Sequence, residues 1–101
     1  MDETWTDRYV EVDGVSTHYI EAGDGDPVVL VHGGGMASCG AVNYGDVMEA
    51  MGEHYRVIAP DLVGFGETPG REPKDYSAEG QGDFLIKFLE SLDEPIHLGG
   101  N

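Results

Sequence analysis

The chain has 101 residues, and its 20 acidic against 5 basic side chains give a formal net charge of −15. Such a balance repels nucleic-acid phosphates and anionic lipid, which excludes both as expected partners. No apolar run approaches the roughly 20 residues that cross a bilayer, and the acidic start Met1-Asp2-Glu3 has no apolar stretch of the kind a secretory signal needs.

The length has room for one small domain at most, since single domains of mixed architecture usually run to about 100–200 residues or beyond. The acids are spread between well-formed apolar segments, which reads as a solvated, salt-tolerant surface of the halophilic kind. The single cysteine, Cys39, cannot form an internal disulfide and fits a reducing cytoplasm.

Residues 1–7 read as a frayed polar start. Arg8 to Val12 alternates, Val15 to Ile20 is rich in β-formers, and Asp13-Gly14 between them is a two-residue hairpin signal. A turn follows at Gly23 to Pro27. Val28-Val29-Leu30-Val31 is then continuously apolar, as a strand covered on both faces requires. It runs into His32-Gly33-Gly34-Gly35. Tyr44, Val47, Met48, Met51 and Tyr55 fall at helical spacing and predict a helix around Ala41–Met51. Arg56 to Asp61 is the next strand, with a tight loop at Gly64-Phe65-Gly66. Ser77 predicts the N-cap of a second helix with the stripe Phe84, Leu85, Phe88, Leu89 and Leu92, although Gly80 and Gly82 weaken its first turns by about 1 kcal/mol each. After Pro95, a short strand from Ile96 ends at Gly99-Gly100-Asn101. The fold class expected is α/β: an antiparallel hairpin leading into a mostly parallel sheet flanked by helices.

Two features carry chemistry. A buried strand delivers a His-Gly-Gly-Gly loop whose glycines let backbone N–H groups face a cavity, as stabilisation of an oxyanion requires. A tight turn or a phosphate cradle would use the same glycines, but no GxGxxG or GxxxxGK[ST] pattern is present. Further on, Gly100-Asn101 fits the first two positions of a G-x-S-x-G nucleophile elbow at the end of a strand. No His/Cys grouping has metal-ligand spacing, so neither a metal nor an organic cofactor is expected.

Together, Val28 to Gly35, Asn43, Tyr55 to Asp61, Gly64-Phe65-Gly66 and Gly100-Asn101 resemble the α/β-hydrolase fold family. Within it the chain is most similar to meta-cleavage-product hydrolases, which hydrolyse carbon–carbon bonds. The resemblance implies an N-terminal portion, residues 1–101, of a single α/β-hydrolase domain. It implies that the Gly34 N–H is an oxyanion donor, with Gly33 and Gly35 shaping the loop. Asn43 and Asn101 would contact substrate or steady the loops around it, and Gly100-Asn101 would open the elbow. No catalytic nucleophile, acid or base lies in the chain on this reading. A serine is expected directly after Asn101, and the 101 residues alone should be inactive.

The expected partner is a small molecule containing a carbonyl group, a vinylogous diketone or an ester. The chain departs from the family at Met36, where proline is usual, and at Glu67-Thr68, where a small polar residue is usual. Two alternatives stay open: a non-enzymatic binding module, and an epoxide hydrolase or dehalogenase with an aspartate nucleophile. His32 is expected to be structural, and Asp61 also. His18, His54 and His97 have no carboxylate partner evident in sequence and read as surface or edge histidines. Asn43 is equally readable as a helix-start residue.

Overall fold

The computed structural model describes residues 4–35 and 37–100. Asp13 and Gly14 both take positive φ, 52° and 79°, as a type I′ turn requires. The turn sets the register Val12 opposite Val15 between β1 (Thr6–Val12) and β2 (Val15–Ala22). The strand begins earlier than the polar composition of residues 1–7 predicts. Thr6 and Asp7 are already paired with Glu21 and Ile20, and Trp5 packs against the core. Met1 to Glu3 lie outside the described residues.

The chain continues through β3 (Pro27–Val31), α1 (Gly40–Gly52), β4 (Arg56–Pro60), α2 (Ala78–Leu92) and β5 (His97–Gly100). The five strands form one sheet in the order β1-β2-β4-β3-β5. β2 is antiparallel to both β1 and β4, while β3 is parallel to β4 and to β5. This is the expected hairpin followed by a parallel sheet.

Strand alternation divides the core in two. On β4, Val57 and Ala59 join Ile20 and Met48 in a cluster that takes in Leu30, Tyr44 and Met51, so α1 covers that face. Ile58 lies with Val29, Val12, Val15, Phe84 and Phe88, so α2 covers the other. The continuous apolar run at Val28–Val31 is explained by this double cover. In α1 the predicted stripe is narrower than its spacing suggests: Met48 is fully buried, but Val47 is 40% exposed, and Tyr55 beyond the helix is 41% exposed.

Helix α2 begins where Ser77 predicts, with the serine oxygen accepting from the Gly80 N–H at 3.0 Å. Gly80 is not a weakness there. A Cβ at this position would lie 2.0 Å from the Lys74 carbonyl oxygen, so the glycine lets the helix start close over the short 3-10 turn Pro73–Tyr76.

Candidate active-site edge

In an open α/β sheet, ligands bind beyond the carboxyl ends of parallel strands. Here β3 and β5 run side by side, with Val31 opposite Gly100. The glycine loop that leaves β3 at His32 therefore starts beside the end of β5. Gly33 is half-buried, and Gly34 and Gly35 are exposed. Among the described residues, a Cβ on Gly34 would meet nothing within 4 Å, whereas one on Gly35 would touch Ser38 Oγ at 3.4 Å. The loop closes with the Ser38 N–H donating to the Gly35 carbonyl at 3.0 Å, and Ala37 takes the left-handed φ of 66°. Met36 lies outside the described residues.

His32 holds the base of this loop. A backbone N–H can only donate, so the 3.0 Å bond from the Leu62 N–H makes Nε2 an acceptor. The proton of the neutral ring is then on Nδ1, 2.7 Å from the Gly33 carbonyl oxygen. Both nitrogens are committed to backbone, and the ring is 4% exposed against Phe65. His32 ties the glycine loop to the segment after β4 and is not placed to act as a base.

Asn43 lies in the first turn of α1, where its Oδ1 accepts from the Cys39 N–H at 3.3 Å. That is the helix-start use of this asparagine. Nearby, the Tyr44 hydroxyl donates to the Val31 carbonyl at 2.7 Å, tying α1 to the end of β3. Gly100 is the exposed last residue of β5, and Asn101 lies outside the described residues.

The side chain that the sequence reading placed wrongly is His18. It is 3% exposed, on β2, with carboxylates at both ring nitrogens. Nδ1 lies 2.7 Å from Asp61 Oδ2, and Nε2 lies 2.8 Å from Asp7 Oδ1 and 3.9 Å from Glu67 Oε2. Burial alone would lower its pKa, but the hydrogen bonds to Asp7 and Asp61 outweigh it and hold the pKa above the ordinary histidine value. No sequence spacing signals this group, because its members stand far apart in the chain and meet through the β1–β2–β4 pairing.

Asp61 is the hub. Besides His18, it accepts from the Gly40 N–H at 2.8 Å and from the Glu67 N–H at 3.0 Å. It thereby satisfies the first amide of α1, directly after the glycine loop. The carboxylate is 1% exposed, and its partners account for that burial. The structural role expected for Asp61 matches this geometry.

A strand covered on both faces and opening into a glycine loop, a mixed sheet of this order and helices on both faces define an α/β-hydrolase architecture. The family model described as "alpha/beta hydrolase fold" matches residues 26–100, and the chain belongs to that family. It is 35% identical over 102 residues to a 2-hydroxy-6-oxo-6-(2'-aminophenyl)hexa-2,4-dienoic acid hydrolase of Metapseudomonas resinovorans, a match covering 99% of this chain and 35% of the relative. Among solved structures it is similar to a meta-cleavage product hydrolase of Pseudomonas fluorescens, with TM-score 0.83 and 38% identity over 93% of this chain and 35% of that one. It is also similar to an epoxide hydrolase of Vigna radiata, with TM-score 0.83 and 27% identity over 97% of this chain and 32% of that one. The chain thus spans about a third of the length of the curated relative it matches.

Proposed function

We propose that residues 1–101 form the N-terminal portion of a serine-dependent α/β hydrolase. Its substrate is a small carbonyl compound, a vinylogous diketone cleaved at a carbon–carbon bond or an ester. The observation that carries this reading is the register of Val31 opposite Gly100. It sets the glycine loop beside the Gly100 end of the neighbouring parallel strand, and an oxyanion donor and a nucleophile must both face one carbonyl.

On this reading the Gly34 N–H donates to the developing oxyanion, while Gly33 and Gly35 keep side chains out of its way. The open space around a Gly34 Cβ supports it, because among the described residues no packing demands glycine there. The Asn43 carbonyl oxygen is engaged with Cys39, leaving the amide group as the part that would meet a substrate oxygen. Asn101 would steady the loop from the elbow. The nucleophile, acid and base follow Asn101 in the chain order Ser, Asp, His, so residues 1–101 alone are inactive. The acidic surface suits a salty, reducing cytoplasm.

The similarity to an epoxide hydrolase favours one second reading, an aspartate in place of the serine. The test is expression of the gene's full reading frame in high salt. A serine hydrolase is labelled by a fluorophosphonate probe and turns over a 2-hydroxy-6-oxodienoate or a p-nitrophenyl ester. Turnover of an epoxide without labelling selects the aspartate reading. Activity on none of the three sinks both.

A further inference from the structure

Away from the glycine loop, Asp7 on β1, Glu67 in the segment after β4 and the buried His18 bring one ligand atom each to within 4.8 Å of one another. The histidine distinguishes this group from a patch of surface acids. Asp61 is a buried acceptor only 2.7 Å from Nδ1, so Nδ1 carries a proton. Nε2 then faces the Asp7 and Glu67 carboxylates at 2.8 and 3.9 Å. A bare lone pair cannot rest against two carboxylates. A positive partner lies between them: a proton given to Asp7, or a metal ion that Nε2, Asp7 and the exposed Glu67 hold together.

We propose that Asp7, His18 and Glu67 form a binding site for a divalent transition-metal ion of the Zn²⁺ class, with water completing the shell. Ligands about 2.0–2.2 Å from a tetrahedral zinc lie roughly 3.3 Å from one another. The separations from Nε2 of 2.8 and 3.9 Å bracket that value, so the two exposed carboxylates need only small adjustments. The outer partners that such sites use are already in place. Asp61 fixes the imidazole through Nδ1, and the Tyr9 hydroxyl donates to the other oxygen of Glu67 at 2.5 Å. One imidazole with two carboxylates suits zinc or manganese better than calcium or magnesium, which take oxygen-only sets. The site would pin the edge strand β1 to the loop that follows β4. It was invisible as a spacing because each ligand comes from a different segment.

The test is titration of the chelator-treated, dialysed protein with ZnCl₂ by calorimetry, and with CoCl₂ by visible absorption. The expected result is one saturable site with the absorption of four-coordinate cobalt. Affinity should fall at least tenfold in Glu67→Gln and in Asp7→Asn, both at exposed positions that leave the fold intact. Tyr9→Phe should weaken binding about tenfold, as loss of an outer partner does, while His54→Gln and His97→Gln change nothing. Absence of saturable binding overturns the proposal and leaves His18 as an imidazolium held between carboxylates. Unchanged affinity in the Asp7→Asn, Glu67→Gln double variant overturns it equally, since zinc would then be held elsewhere.

Discussion

His18 Nδ1 and Asp61 Oδ2 meet at 2.7 Å in the interior, joining β2 to the segment that leaves β4. Asp61 also holds the Gly40 and Glu67 amides. Its removal would strand three groups at once: a buried imidazole, the first amide of α1 and a loop amide. Breaking a buried charged pair from one side costs about 3–5 kcal/mol, so Asp61→Ala should lower stability by that order in urea unfolding. Asp61→Asn keeps an acceptor for Gly40 and should cost less, about 1.5–3 kcal/mol. A loss under about 1 kcal/mol in Asp61→Ala, the scale of one ordinary hydrogen bond, would show that this hub does not hold the fold.

Two glycines near the same edge should respond in opposite ways to alanine. Gly66 has φ 54°, and its added Cβ would lie 2.2 Å from Asp61 Oδ2. Gly66→Ala therefore forces apart the hub just described, and should cost about 2–4 kcal/mol, in the range of overpacking plus a lost polar contact. The Cβ of Gly34→Ala meets open space, and its stability should stay within about 0.5 kcal/mol of the parent. If the loop binds an oxyanion, that same variant in the complete enzyme should lose about tenfold to a hundredfold in kcat, less than the removal of a whole donor. Thermal melts and steady-state kinetics separate the two effects. Full activity in Gly34→Ala would count against the oxyanion assignment.

The strands and helices were legible because each is specified locally. Asp13-Gly14 can hardly be anything but a hairpin turn, Val28–Val31 is apolar on both faces, and Phe84 and Phe88 are one helical turn apart. The glycine loop and Gly100 were legible as strand ends, and the pairing of Val31 with Gly100 brings them together. His18 was not legible. Its partners at positions 7, 61 and 67 are assembled by strand register, and an alternating strand pattern carries no mark of a buried histidine that is fully hydrogen-bonded. Gly80 misled for a similar reason, since propensity counts its entropy but not the Lys74 carbonyl against it.

Acid should weaken the molecule through Arg71. Its guanidinium donates to both oxygens of the buried Asp75, at 3.1 and 3.2 Å, and to Asp13 at 3.0 Å. Hydrogen bonds from Arg71 hold the Asp75 carboxyl below its usual pKa, and those from Arg71 and Lys87 do the same for Asp13. A carboxylate depressed in the folded state is protonated first in the unfolded chain, near its ordinary pKa of about 3.9. Its contribution is complete above that value and is lost as pH falls through the folded-state pKa. The melting temperature should drop as pH is lowered below about 4. Arg71→Met should lower it at neutral pH and flatten the acid limb. An acid limb of equal steepness in the variant would assign the effect to other carboxylates.

Salt should act in the opposite sense. Among the described residues, Arg8 pairs with Glu21, Arg56 with Glu94, Arg71 with Asp75 and Lys87 with Asp13. The net charge of −15 sits on a chain whose radius of gyration is 12.8 Å. The screening length is about 10 Å in 0.1 M salt and about 3 Å in 1 M salt. Repulsion between surface acids thus acts across much of the molecule in the first case and hardly in the second. Raising KCl from 0.1 to 2 M should raise the melting temperature by about 4–8 °C for each kcal/mol of repulsion relieved. Salts also stabilise proteins by exclusion from their surface, which does not depend on charge. The variant Asp46→Lys, Asp83→Lys, with one exposed site on each helix, changes the net charge from −15 to −11. It should melt higher at low salt and respond less to KCl. An unchanged slope would assign the salt effect to exclusion and remove the case for an acidic surface adapted to brine.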